Sequence, residues 1–320
     1  MNLKPVSDVP GAAGYDVVIV GGAIIGSSIA WFLSANPDFD GSVLVIERDM
    51  LYQHCSTAHT NSCMRQQFSN PLNIEISQFG AEFVRDFRSF MGNDPEVPEI
   101  YVNHFGYMYL AGDDQFAATL QANQRIQSEQ GAGTKILSPE EIVSAYPFYN
   151  VDDIVCASHN LIDEGYFDSG TVFEWWRKKA RENGVEYLRG EVVGLDRSDN
   201  RITGVRLGSG RSIACGTVVN AAGPRAVEVA RMAELTLPVE PRKRFTFVFD
   251  AAEPLARDLP LTIDPSGVHV RSDGGAYMAG CTPDIDPAVD YDDFEMDRDI
   301  WEDKVWPVLA HRIPAFERIK

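Results

Sequence analysis

The sequence predicts an α/β fold that opens on a strand–turn–helix–strand unit, and three observations in residues 15–48 carry that expectation. Within YDVVIVGGAIIGSSIAWFLSANPDFDGSVLVIER, Val17 to Val20 is an unbroken β-branched run, short enough for a buried strand. Gly21, Gly22 and Gly26 mark a tight turn, after which Ile25, Ile29, Phe32 and Leu33 recur with helical spacing. A second apolar run, Val43 to Ile46, ends on Glu47, 21 residues beyond Gly26. Strand, glycine turn, helix, strand and acid in this register form the βαβ dinucleotide-binding fingerprint.

Each position has a physical task. Gly21 lets the strand turn sharply, and Gly26 lets the helix pack closely on the sheet. The helix N-terminus offers backbone N–H groups and a positive dipole end to a pyrophosphate. Glu47 stands where an acid hydrogen-bonds a ribose hydroxyl. One position departs: the middle glycine, where backbone approaches the phosphates, is Ala23. The alternative reading of Val17 to Leu33 as a membrane span fails, because its 17 uncharged residues fall short of the roughly 20 required and change period midway.

A chain of 320 residues suffices for a large core and suggests two domains. The formal net charge of −19 argues against nucleic acid and anionic membrane surfaces as partners, so an anionic substrate needs local Arg or Lys. Five cysteines without a C-x-x-C read as reduced thiols, and no spacing of His, Cys, Asp or Glu resembles a metal site. Residues 1–14 show no leader pattern, which fits a cytoplasmic protein.

Further along, Asn70-Pro71 starts a helix that runs to Gly92, and Gly106 to Leu110 reads as a strand. Asp114 to Gln130 is a polar helix, and Ser138-Pro139-Glu140-Glu141 is a capping box. Residues 93–154 read as a second domain inserted into the first. DEGYFDSG (163–170) caps another helix through Asp168 or Ser169. Three strands follow, Glu191 to Asp196, Ile202 to Leu207 and Ser212 to Asn220, the last running into Ala221-Ala222-Gly223-Pro224. Phe245 to Phe249, Val268 to Val270 and Ala276 to Ala279 read as strands, and Asp297 to Ala310 as a helix kinked at Pro307.

With these pieces placed, VVIVGGAIIG, Glu47, the EVVGL meander and TVVNAAGP together resemble the D-amino-acid-oxidase-like flavoproteins, which include glycine oxidase, sarcosine oxidase and dimethylglycine dehydrogenase. ERDMLYQHCSTA, MRQQFSNPLNI, DEGYFDSG, LPVEPRKRF and DKVWPVLAHRIPAFE resemble more closely the FAD-dependent oxidoreductase domain-containing protein 1 group, which includes an assembly factor for respiratory complex I. The resemblance implies an FAD-binding Rossmann-like domain of residues 1–92 and 155–233. It also implies an α+β substrate domain, residues 93–154 and 234–320, built on a mixed sheet. Gly21, Gly22, Ala23, Gly26, Glu47 and Arg48 would surround the ADP part of FAD, with Ser56 and Thr57 beside the pyrophosphate. Val192 would meet the adenine and Ala222-Gly223 the ribityl chain. These matches argue against an NAD-linked dehydrogenase. The resemblance implies a further Gly-rich segment returning to the flavin ring, which is not among these 320 residues, so that either the sequence is a fragment or part of the flavin site has been lost.

The implied activity is hydride transfer from the carbon beside an amine nitrogen of a small amine or amino acid to flavin N5. Arg65 in MRQQFS would hold a substrate carboxylate or steady the charge of the reduced flavin, with an ordinary loop arginine as the plain alternative. His269 and Arg271 lie on the hairpin that approaches the flavin in relatives, where a plain strand surface is the competing reading. Arg242-Lys243-Arg244 is either a solvated turn or part of a site. Ser56-Thr57-Ala58-His59 has the S-T-x-H form at which dimethylglycine dehydrogenase relatives attach FAD covalently, against the alternative of an exposed loop histidine. The alternative function is that of a non-enzymatic flavoprotein, an assembly or binding partner of a respiratory complex, peripheral to the inner membrane. An electron-acceptor protein is a further expected partner of the enzyme.

Overall fold

The computed structural model describes residues 6–320. Residues 1–5, part of the stretch read for a leader and of the first expected domain, lie outside the described residues. The expected opening unit forms as strand β1 (Gly14–Val20), helix α1 (Ile24–Ala35) and strand β2 (Val43–Glu47). The uncharged stretch considered as a membrane span therefore splits between a strand and a helix. Among the described residues no helix is long and apolar enough to cross a membrane.

β1 lies inside a six-stranded sheet, ordered Val192–Ser198, Arg201–Leu207, Ser212–Asn220, β1, β2, Glu186–Arg189. β1 runs parallel to both neighbours, and β2 runs parallel to Glu186–Arg189. Val17, Ile19, Val43 and Val45 pack on one side with Trp31 and Phe83. Val18, Val20, Leu44 and Ile46 pack on the other with Leu207 and Val229. Both faces are covered, which is why these strands read as unbroken apolar runs rather than alternating ones.

Helix α1 is rotated from the expected stripe. Ala30 and Trp31 are the buried pair, while Ile25 and Phe32 are 61% and 42% exposed. Ser27 draws that face inward: its hydroxyl donates to Gly22 O at 2.7 Å and accepts from the Tyr187 hydroxyl at 3.0 Å.

The second sheet has seven strands, ordered Phe247–Phe249, Ala276–Gly280, His269–Asp273, Leu261–Ile263, Tyr107–Ala111, Cys156–Asn160, Lys135–Leu137. Its mixed character matches the expected substrate sheet, but the boundary at 154/155 needs correction. Cys156–Asn160 pairs antiparallel with Tyr107–Ala111 over five register positions and so belongs to this sheet. Four strands of the two large sheets were absent from the sequence reading: Lys135–Leu137, Cys156–Asn160, Glu186–Arg189 and Leu261–Ile263. Glu186–Arg189 is only four residues with charged ends, and Leu261–Ile263 lies between Pro260 and Asp264-Pro265. The C-terminal end is a π-turn, Trp301–Val305, followed by the helix Trp306–Arg312. Pro307, which has no N–H to donate, sits beside this wider turn. Buried Arg312 fastens the helix, donating to Asp264 at 2.8 Å and through both terminal nitrogens to Asp153 at 2.8 and 3.0 Å.

A third, small sheet joins Cys63–Met64, Gly165–Phe167 and Val102–Asn103. It brings the MRQQFS and DEGYFDSG segments together.

Candidate active site: a cleft and an adjoining aromatic cluster

A cleft of about 760 Å³ opens beyond the carboxyl ends of β1, β2 and Ser212–Asn220. This is where open α/β sheets bind ligands, and the volume suits a small-molecule site. Gly21 has φ +98°, and a Cβ there would lie 2.4 Å from Ala221 O. A Cβ on Gly26 would lie 1.9 Å from Gly21 O, so helix and turn meet backbone to backbone. Both glycines perform the tasks that their spacing assigned.

Glu47 lines the cleft and is held by two backbone groups: Gly22 N–H donates to Oε2 and Asp49 N–H to Oε1, each at 2.8 Å. Gly22 is therefore a support beneath the acid, packed on Val45, Glu47 and Tyr52, and is not among the lining residues. Ala23 stands at the N-cap of α1 in an extended conformation, with no side-chain cap and no acidic residue in the first turn. Thr57 substitutes from across the cleft, its hydroxyl accepting from Ile24 N–H at 3.3 Å. Arg48, Ser56, Val192, Ala222 and Gly223 complete the expected lining.

His59 does not reach the cleft. Its ring is exposed, Nε2 lies 2.9 Å from Gln53 O, and it is absent from the lining. The reason is local: a tight turn closes through His59 N–H to Ser56 O at 3.3 Å and carries the ring outward. His54 lines the cleft instead, its ring 4.8 Å from that of Phe294. Further lining residues that escaped the sequence reading include Tyr52 and Arg225. Tyr52 buries a hydroxyl with no hydrogen-bond partner among the described residues, and burial pushes its pKa up to about 12. Arg225, directly after Gly223-Pro224, stacks 4.0 Å over Tyr291 and pairs with Asp292. The position after the quoted NAAGP run was its only signal.

Past Cys63, at one limit of the cleft, Arg65 packs into a cluster of aromatic rings. The Arg65 guanidinium sits 4.8 Å from the Phe68 ring centre and 5.9 and 6.0 Å from those of Tyr107 and Tyr109. Its Nε is buried with no hydrogen-bond partner among the described residues. Burial raises the Tyr109 hydroxyl, with Arg65 working the other way. Burial likewise pushes the Cys63 thiol up to about 11, opposed by Arg271. Glu164 is fully buried and accepts from Gln66 N–H at 2.6 Å and from the Gln67 amide at 2.9 Å. Burial pushes this carboxyl up to about 7.

Arg271, expected on the hairpin that approaches the flavin, differs from Arg65. Both terminal nitrogens have acceptors: Nη1 donates to Ser272 O and Asp273 at 2.8 Å, and Nη2 to the Met278 sulfur at 2.8 Å. Its neighbours on the hairpin provide those acceptors, leaving only Nε without a partner among the described residues. His269 faces Gly280 on the paired strand, and burial lowers its pKa.

The fold and the cleft define a dinucleotide-binding protein of the Rossmann type. Residues 16–320 match the DAO family of FAD dependent oxidoreductases, and the chain belongs to that family. It is 35% identical to the FAD-dependent oxidoreductase domain-containing protein 1 of Xenopus laevis, covering 99% of this chain and 70% of that protein. The Bos taurus protein of the same description is 34% identical, over 95% of this chain and 70% of its own length. Among solved structures, L-proline dehydrogenase from P. horikoshii superposes with a TM-score of 0.81 at 26% identity, covering 96% of this chain and 79% of that one. Glycine oxidase from Geobacillus kaustophilus shares the fold at a TM-score of 0.78 and 19% identity, over 97% and 80% of the two chains.

The residues present fit FAD. The glycine turn is a cradle that a Cβ would fill, and the start of α1 has neither a side-chain cap of its own nor an acid to repel phosphate. Gly21, Ala23, Glu47, Arg48, Thr57 and Val192 line the cleft and would hold the ADP portion, and Ala222-Gly223 would meet the chain that leads to the flavin.

Proposed function

We propose that the chain oxidises the C–N bond of a small amino acid, glycine-like or N-methylated, with the substrate carboxylate held by Arg65. Bound FAD supplies the acceptor: the carbon beside nitrogen gives a hydride to flavin N5, the nitrogen loses a proton, and the resulting imine is hydrolysed by water. One observation carries the reading. Arg65 is a cation walled by Phe68, Tyr107 and Tyr109, with a buried Nε that has no partner among the described residues, beside the Cys63 limit of the FAD cleft. In an acidic protein this is the local positive charge that an amino-acid substrate needs.

The surrounding side chains suit the task. The three rings shield the Arg65 Nε, and a partly desolvated guanidinium makes a stronger charge-assisted contact to a carboxylate. Tyr109, raised by burial, stays neutral and keeps a hydroxyl available to the substrate. Gln67, held by Glu164 and accepting from the Ser158 hydroxyl at 2.7 Å, fixes the backbone from which Arg65 projects. The test is anaerobic mixing of the FAD-loaded chain with N-methyl amino acids and with matched amines lacking the carboxylate. The proposal expects the flavin to bleach, with the carboxylate-bearing compounds faster. Absence of bleaching with either set would overturn it.

A further inference from the structure

An acidic segment reaches the edge of the cofactor cleft at Tyr291. Residues 284–299 carry seven aspartates and one glutamate, with Arg298 as the only basic residue. The segment is fastened by the cluster Arg242-Lys243-Arg244. Arg244 donates to the Asp286 carboxylate through both terminal nitrogens, at 2.9 and 2.8 Å. Lys243 pairs with Asp293 and donates to Glu295 O at 3.0 Å, and Arg242 donates to Asp286 O. The basic cluster is thus neither free in solvent nor part of the cleft; it is the anchor of this strap. From there the segment crosses to the cleft, where Phe294 meets His54 and Tyr291 joins the lining. At its tip Asp292 pairs with Arg225 and, at 3.5 Å, with Arg48, both of them lining residues on different edges of the cleft. Tyr291 lies flat under the Arg225 guanidinium at 4.0 Å.

Arg48 follows β2 and Arg225 follows Ser212–Asn220, so the two cations approach the cleft from separate strands. A single carboxylate bridging them stands in for an anion. We propose that Asp292 is an internal plug: the strap holds it on an anion seat made by Arg48 and Arg225, and the phosphates of the cofactor displace it to take the same two arginines. The electrostatics favour the exchange, because two linked phosphates carry more charge than one carboxylate. The anchoring by residues 242–244 keeps the plug close enough to return when the cofactor leaves.

The experiment is FAD binding to the apo chain, followed by quenching of flavin fluorescence, for the parent and for Asp292→Asn. Removing the charge while keeping the shape releases two exposed ion pairs, so FAD should bind about three- to ten-fold more tightly. ADP should gain by the same factor, and riboflavin, which has no phosphate, should not gain. In an Arg48→Ala/Arg225→Ala background FAD should bind more weakly than to the parent, and Asp292→Asn should have no further effect. Arg244→Ala, which loosens the anchor outside the cleft, should tighten FAD in the same direction as Asp292→Asn. Unchanged or weaker FAD binding by Asp292→Asn would overturn the proposal. So would an equal gain for riboflavin, or a gain undiminished without the arginines.

Discussion

Gly26→Ala tests the backbone contact on which the cofactor cleft depends. The added Cβ would fall 1.9 Å from Gly21 O, 3.0 Å from Gly21 C and 3.3 Å from the Ile19 Cγ2 methyl. A carbon–oxygen contact of about 3.2 Å or more is needed, so the start of α1 must retreat by about 1 Å or more. Two of the three obstructing atoms are backbone of the turn itself, fixed by Gly21 N–H donating to Ile46 O at 2.9 Å. Overpacking of this kind costs about 1–3 kcal/mol, set against a helix-propensity gain of about 1 kcal/mol. The expected net result is a loss of up to about 2 kcal/mol in urea unfolding. FAD affinity should fall about ten-fold or more, because each 1.4 kcal/mol of misplaced contact is about a factor of ten. Gly80→Ala is the control: it lies in the helix Pro71–Arg85, and its Cβ would meet nothing within 4 Å. That variant should gain about 0.5–1 kcal/mol and leave FAD binding unchanged. If Gly26→Ala proved as stable as Gly80→Ala and bound FAD like the parent, the close approach of helix and turn would not be what shapes the cleft.

Three further outcomes are expected. Ala23→Gly should tighten FAD binding, since the methyl stands where backbone approaches the phosphates, while apo stability falls by up to about 1 kcal/mol; unchanged affinity in a fluorescence titration would show that the turn already accommodates alanine. Arg65→Ala should raise KM for a carboxylate-bearing amine by about 1.5–3 kcal/mol in free-energy terms and leave a neutral analogue nearly unaffected; steady-state kinetics with both compounds decide it, and equal effects would remove Arg65 from carboxylate binding. Glu164→Gln should change the pH profile of stability. The folded carboxyl is raised to about 7 from 4.5, so it binds its proton more tightly than the unfolded one, and the parent loses stability as pH rises from about 4.5 to about 7. The variant should lack that loss, gaining up to roughly 3 kcal/mol on the parent between pH 5 and pH 8 in urea unfolding; an equal difference at both pH values would refute a buried, proton-binding Glu164.

The opening βαβ unit was legible because its signals are local. Gly21 is demanded locally by its positive φ and Gly26 by a contact five residues back, and Glu47 follows at a distance that one helix and one turn dictate. The lining at Ser56, Thr57, Val192 and Ala222-Gly223 followed from family resemblance, since nothing in their local pattern distinguishes them from ordinary loop and strand residues. What escaped was set by distant contacts. Cys156–Asn160 joins the second sheet because Tyr107–Ala111 pairs with it, a contact that no local period records. The rotation of α1 depends on Tyr187 reaching Ser27, 160 residues away. Glu164 becomes buried only when the loop carrying Gln66 folds over it. His59 matched a motif, but its orientation was decided by a turn that the motif does not encode. Arg225 and Asp292 lie 67 residues apart and meet only across the completed cleft.

The most direct test of amine oxidation at this cleft is a single anaerobic turnover. The FAD-loaded chain is mixed with an excess of an N-methyl amino acid, flavin bleaching is recorded, and the carbonyl product of imine hydrolysis is quantified after acid quench. One carbonyl product per flavin reduced is the expected result, with both diminished together by Arg65→Ala at low substrate concentration. A flavin that stays oxidised with every amine and amino acid offered, or bleaches without releasing carbonyl product, would contradict it.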